Sequence, residues 1–360
     1  MTDRILATYR ITASESESRV RADALAAEQS VEMPVGAIAD KRIADEVVAT
    51  VASIRPQAGQ FEVVLGIAPA TTGNEASQLV NMLFGNCSLQ PEVELIDVQL
   101  PAGYEKSFPG PRFGIDGIRK LAGVRTRALT CTALKPQGSS PETLAQLART
   151  FALAGIDVIK DDHGIANQVY APFERRVPAV QRAIAEANRE TGGRTFYAPT
   201  FSGGPRALAE QTRIAKECGV KMALVAPMLI GLPAFVEMQV ELDIPVMAHP
   251  AFAGAGRIAP PLLLGKLFRL LGADATIFPN HGGRFSYSRA TCHAIAAAAR
   301  DPWLTLRPAL PVPAGGMTID RVQEMLEGYG ADTMLLIGGG LLSAKENLLE
   351  RAKEFVKAVG

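Results

Sequence analysis

Surplus charge is the first thing this sequence lacks. Lysine plus arginine number 37 and aspartate plus glutamate number 37, so no excess cation is available to neutralise a polyphosphate backbone, and nucleic acid is not expected as a partner. Cysteine is scarce as well. The four residues Cys87, Cys131, Cys218 and Cys292 are scattered through apolar surroundings, which argues against a disulfide framework or a zinc site and suits a reduced, cytoplasmic protein. Long apolar runs are also missing: 258–271 is interrupted by Lys266 and Arg269, well short of the roughly 20 residues a membrane span needs. The first ten residues lack the apolar centre of a signal peptide. Neither membrane nor secretion is expected.

What is present is apolar bulk with a rhythm. At 360 residues and 48% hydrophobic, the chain supports more than one core, such as a barrel of about 250 residues plus a smaller domain. From about residue 125, short apolar runs alternate with amphipathic segments, as parallel strands joined by helices do. Eight such runs occur, at 127–132, 156–160, 195–199, 222–226, 244–248, 275–278, 306–312 and 333–337. One strand, one loop and one helix per unit, repeated eight times, closes a barrel. Helices are expected at 141–154, capped by Ser139 or Ser140, and at 173–189. Pro245, Pro279, Pro308 and Pro311 lie in or beside strands and blur two of the units. The first part reads differently, with strands at 5–11, 61–67 and 93–100 and helices at 18–29 and 74–84. The expected fold class is therefore α/β: a C-terminal (β/α)8 TIM barrel over 116–360, preceded by a small ferredoxin-like α+β domain over 1–115. The stretch 108–123, rich in glycine, proline and arginine, is expected to be the linker.

In such a barrel the active site lies where the strands end, and polar residues gather there. The second strand ends in Lys160-Asp161-Asp162-His163-Gly164, Lys135 follows the first, His249 the fifth, and Asn280-His281-Gly282-Gly283-Arg284 the sixth. The chain has only four histidines, and three of them, His163, His249 and His281, sit at these ends, whereas His293 reads as a helix residue. Carboxylates fixed at a strand end suit Mg²⁺, although a solvated turn has the same composition. Lys135 is either a surface lysine or a proton-transfer group tuned by burial and a nearby cation. Gly315-Gly316 and Gly338-Gly339-Gly340 follow the seventh and eighth strands, where backbone N–H groups commonly hold a phosphate, with Arg284 as a further cation.

Several stretches, in order, resemble the RuBisCO superfamily. Ala27-Glu28-Gln29-Ser30 is similar to the family's Ala-Glu-Ser-Ser, Phe84-Gly85-Asn86 to its Gly-Asn after a helix, and Phe108-Pro109-Gly110-Pro111-Arg112-Phe113-Gly114-Ile115 to Phe-x-Gly-Pro-x-x-Gly-Ile. Leu134-Lys135-Pro136 resembles Ile-Lys-Pro-Lys, and Gly155-Ile156-Asp157-Val158-Ile159-Lys160-Asp161-Asp162 resembles the Gly-Leu-Asp-Phe-x-Lys-Asp-Asp-Glu metal site. The resemblance implies Mg²⁺ held by Asp162, by Lys160 as a CO₂-derived carbamate, and by His163 in the glutamate's place. It implies catalytic roles for Lys135, Lys160 and His249, and substrate or phosphate contacts from Gly315, Gly316, Gly338, Gly339, Arg284 and His281. It further implies a homodimer, or a dimer of dimers, with Glu28 and Asn86 reaching the partner's barrel mouth.

The departures from that pattern point away from CO₂ fixation. Gln137 replaces a lysine, Pro250 an arginine that grips a distal phosphate, and Ala253 a histidine, and no lysine occurs between Lys266 and Lys345 to stabilise a nascent carboxylate. Enolisation of a phosphorylated ketose remains. The expected activity is that of a 5-methylthioribulose-1-phosphate isomerase in methionine salvage. The alternatives are a diketo-methylthiopentyl-phosphate enolase and a decarboxylase, transcarboxylase or hydrolase of a 3-oxo sugar-acid phosphate. From the residues alone, a Schiff-base aldolase and a barrel without catalysis are the competing classes.

Overall fold

The computed structural model describes residues 3–360 and divides into two compact units. The first comprises the chain up to Pro109 with the short segments Ala253–Leu263 and Trp303–Thr305. Strand β1 (Ile5–Ile11) buries alternate residues, Ile5, Ala7, Tyr9 and Ile11, as a period of two requires when one sheet face is covered. It is followed by helix α1 (Glu15–Glu28), strands β2 (Thr50–Gln57) and β3 (Gln60–Ile67), helix α2 (Ala76–Phe84) and strand β4 (Val93–Gln99). The sheet order is β2-β3-β1-β4, with β1 antiparallel to both neighbours, which is the ferredoxin-like arrangement. Strand β2 is absent from the sequence-based expectation. It is an edge strand with exposed residues and Pro56, so it carries almost no apolar alternation. Ala58 and Gly59, both at positive φ, join it to β3 in the conformation that two-residue hairpins favour.

The second unit carries the barrel. After helix α3 (Gly114–Ala122) come β5 (Leu129–Leu134), helix α4 (Pro141–Leu153), β6 (Val158–Asp161), helix α5 (Phe173–Thr191), β7 (Phe196–Ala198) and β8 (Thr200–Phe201). Helix α6 (Pro205–Glu217) precedes β9 (Ala223–Val225), β10 (Val246–Ala248), β11 (Ala275–Pro279), β12 (Leu310–Ala314) and β13 (Met334–Leu336). Each of the eight apolar runs holds a strand; β7 and β8 are two halves of one, interrupted at Pro199, whose carbonyl still accepts from Leu224 N at 2.9 Å. The ladders run β13-β5-β6-β7 and β8-β9-β10-β11-β12, all parallel. Between β12 and β13, Pro311 and Pro313 have no N–H to give. The Thr333 hydroxyl bridges that seam to Pro311 O at 3.0 Å.

The expected linker is corrected here. Residues 114–122 form helix α3 rather than an irregular connection, and its Ile115, Ile118 and Ala122 pack with the inward residues Leu129, Val158, Met222, Leu224 and Met247. Phe113 and Gly114 donate their backbone N–H groups to Asp274 Oδ1, at 2.7 Å each, and Arg119 binds Asp332. Asp274 and Asp332 precede β11 and β13, so α3 closes the amino-terminal end of the barrel. Glycine and arginine hid this because Gly114 (φ +60) is needed for close approach to Pro308 O, while Arg119 lies buried. The open end is the carboxyl end. No helix among the described residues is long and apolar enough to cross a membrane.

Candidate active site at the carboxyl ends of the barrel strands

Alternation along β6 decides which side chains face the mouth. Lys160 and Asp162 share one face and Asp161 takes the other. Asp161 is fully buried, where it accepts from Tyr197 OH (2.5 Å), Arg176 Nε (3.2 Å) and Thr200 N (3.0 Å). Arg176 also donates to the carbonyls of Ala171 (2.5 Å) and Ala166 (2.8 Å). A charge buried with its counter-charge and this many hydrogen bonds fixes the strand end in place. This anchor was not foreseen. Its signal was Arg176, standing on the apolar stripe of α5 beside Phe173, Val177 and Val180.

On the mouth face, Lys135 Nζ donates to Asp162 Oδ1 at 2.6 Å, and His163 Nδ1 lies 3.6 Å from the same oxygen. Burial works against ionisation of Asp162, but bonds from His163 and Lys135 and the charge of Lys160 outweigh it, and its carboxyl is held well below the usual range. Lys160 is 3% exposed and donates to Asp161 O at 3.0 Å. Burial pulls its amine below the ordinary lysine value, against the attraction of Cys131 and Asp162. The His249 ring stacks on His163 with centroids 4.1 Å apart and planes 13° from parallel. Ala251 N donates to His249 Nδ1 at 3.1 Å, which leaves the ring proton on Nε2. Burial, then Lys160 and His163, push this ring down to about 2.

The loop after β13 reaches this group, and the loops after β11 and β12 meet one another. A Cβ at Gly338 would lie 3.8 Å from Lys135 Cε, while Gly339 has open space around it. Gly315 and Gly316 are at φ +90 and +95. Arg284 N donates to Gly315 O at 2.8 Å, and the Gly283 Cα comes so near that a Cβ there would stand 2.0 Å from the same oxygen. The Arg284 guanidinium lies over the Phe285 ring at 5.5 Å, and Arg321 holds His281 O at 2.9 Å. Gln137 rests against Gly164. Thus Lys135, Lys160, Asp162, His163, His249 and Gly338 are brought together, and His281, Arg284, Gly315 and Gly316 form a second set. Glu28 and Asn86 lie in the other unit, where Asn86 Nδ2 donates to Glu28 Oε1 at 2.8 Å.

The model of the ribulose bisphosphate carboxylase large chain, catalytic domain, matches residues 114–279. Ribulose bisphosphate carboxylase-like protein 1 of Rhodopseudomonas palustris is 52% identical over 361 residues, covering 100% of this chain and 98% of the relative. The chain belongs to the RuBisCO-like proteins. A second relative, the 5-methylthioribulose-1-phosphate isomerase of Rhodospirillum rubrum, is 51% identical over 362 residues, covering 100% and 97%. A crystal structure of a Rubisco-like protein from Rhodopseudomonas palustris superposes with a TM-score of 0.93 at 49% identity, covering 100% of this chain and 98% of the other.

The RuBisCO-like site can be tested against a metal by its donors. Among the described residues, no three histidine, cysteine, aspartate or glutamate side chains are grouped to hold an ion. Asp162 and His163 supply two donors, and Lys160, on the Asp162 face, supplies a third only if its amine becomes an acid. A buried lysine with a lowered pKa is disposed to the neutral amine that combines with CO₂. The residues fit Mg²⁺ on that condition.

Proposed function

We propose that this enzyme isomerises 5-methylthioribulose 1-phosphate by proton transfer, and that it does not fix CO₂. The observation that carries the reading is Lys135 Nζ, 2.6 Å from Asp162, beside buried Lys160 and against Gly338. It sets a proton-transfer group between a charged metal-type site and a glycine loop whose amides suit a phosphate. The full-length likeness to the Rhodospirillum rubrum isomerase supports the choice of substrate. Mg²⁺ held by Asp162, His163 and a Lys160 carbamate would polarise the substrate carbonyl and neutralise the developing enediolate.

The chain's own residues supply the rest. In its neutral form Lys135 Nζ takes the proton from the carbon beside the carbonyl and, as the ammonium so formed, returns it to a different carbon, with Asp162 as the counter-charge of that ammonium. His249 stays neutral and presents Nε2–H to a substrate oxygen. Backbone amides of Gly315, Gly316, Gly338 and Gly339, with Arg284 and His281, hold the phosphate and hydroxyl groups. The loop after β11 carries Arg284 and no lysine, so no flexible ammonium is present there to stabilise a new carboxylate. In a homodimer, Glu28 and Asn86 of a second copy complete the mouth.

The test is incubation with Mg²⁺, bicarbonate and 5-methylthioribulose 1-phosphate in D₂O, followed by ¹H and ³¹P spectra. Metal-dependent deuterium uptake next to the carbonyl, with formation of an isomeric phosphate ester, is expected. Unchanged substrate would sink the assignment.

A further inference from the structure

Two side chains outside the constellation above hold its second half in place. Arg321 ends a short helical turn, Ile319–Arg321, beyond the Gly315-Gly316 loop, and Glu324 lies one turn on, in the helix Val322–Tyr329. The Arg321 guanidinium gives Nε to Glu324 Oε2 (2.9 Å) and Nη2 to Glu324 Oε1 (3.1 Å), a planar fork on a carboxylate. That pair fixes the plane of the guanidinium. Its Nη1 then donates to His281 O at 2.9 Å, and Nη2 stands 3.5 Å from His281 Nδ1. His281 Nε2 is 3.5 Å from Glu324 Oε1, the same oxygen that Arg321 Nη2 binds. The imidazole is therefore packed against the joined Arg321–Glu324 pair, which fixes its orientation.

The backbone is shaped for this arrangement. Gly282 is at φ +67, which disfavours any side chain, and a Cβ there would lie 3.0 Å from Arg321 Nη1, so a larger residue would push the guanidinium aside. Two further bonds tie the same loop to the next strand: Asn280 N to Ala314 O and Arg284 N to Gly315 O, each 2.8 Å. Asn280 itself is buried and receives Tyr329 OH at 2.5 Å.

We infer that Arg321 and Glu324 are positioning residues for the substrate site: they hold His281 and the His281–Arg284 loop as a preset wall beside the Gly315-Gly316 turn. This rests on the reading of His281 and Arg284 as substrate contacts. A wall already in place contributes equally to substrate and transition-state binding, so its loss raises KM more than it lowers kcat.

Four proteins decide it: the wild type, Arg321→Ala, Arg321→Lys, and Arg300→Ala. The last removes a different arginine-to-carbonyl bond, from Arg300 Nη1 to Tyr329 O at the end of the same helix. In Arg321→Ala we expect KM to rise about tenfold with kcat within about twofold, and amide hydrogen exchange over 281–284 to accelerate. Arg321→Lys keeps the charge but not the fork and recovers little. Arg300→Ala, with its stability lowered, leaves KM and the loop exchange at wild-type values. Equal KM and equal loop exchange in wild type and Arg321→Ala would overturn the inference, as would a KM rise of the same size in Arg300→Ala. If the wild type fails to turn over 5-methylthioribulose 1-phosphate, the functional reading fails, while the exchange comparison still tests the clamp.

Discussion

At the scale of single residues, the site depends on where burial places charge. Lys135 is partly exposed and bonded to Asp162, where the proposed substrate would meet it; Lys160 is enclosed. Replacing Lys135 by alanine should lower kcat/KM by about 10²–10⁴-fold, the usual worth of a positioned acid or base, with the unfolding midpoint in urea close to wild type; parallel kinetic and unfolding measurements check both. Asp161→Asn should act the other way round. It leaves Arg176 buried without its counter-charge, which costs about 3–5 kcal/mol, read as a lower unfolding midpoint. His249 gives a pH prediction. Its folded value is pushed down to about 2, below the ordinary value near 6.5. As pH falls below about 6.5 the unfolded chain therefore gains a proton that the folded one refuses, and stability present above that pH is progressively lost. His249 ring signals that stay unmoved between pH 8 and pH 5, among only four histidines in the chain, are the expected outcome. A midpoint near 6.5 for that ring would contradict it.

Among elements, the barrel is held where its hydrogen-bond ladder is weakest. The prolines of β12 remove donors that would face β13, and Thr333 replaces part of that pairing with a side-chain bond to Pro311 O. Thr333→Val keeps the volume but leaves a buried carbonyl without its donor, so a loss of about 1–3 kcal/mol is expected, measurable as a shift in the urea midpoint. The eight strand positions were legible because each is a short apolar run, and six of them end in polar or glycine residues. Strand β2 and helix α3 were not. One is an exposed edge with no apolar alternation, and the other is a helix written in glycine and arginine, whose apolar stripe, Ile115, Ile118 and Ala122, acquires meaning only once the strand ends are beneath it.

For the whole molecule, the family reading makes the active site a joint product of two copies. Glu28 and Asn86, hydrogen-bonded to each other, would serve the mouth of the partner barrel. Mixing inactive Lys135→Ala with inactive Glu28→Ala should then restore about a quarter of wild-type activity, since about half the dimers pair unlike copies and each of these holds one intact site. No recovery after subunit exchange would show that each chain completes its own site. Sequence by itself determined the barrel class, the residues at the strand ends and the family motifs, because strand periodicity and the position after each strand are local properties of the chain. Tertiary structure alone decided which of two adjacent aspartates faces the mouth, that Arg176 neutralises the other, and that Arg321 grips the loop of His281. Those pairings join residues 15 and 40 positions apart, and separations of that kind close only when the strands and helices between them have packed.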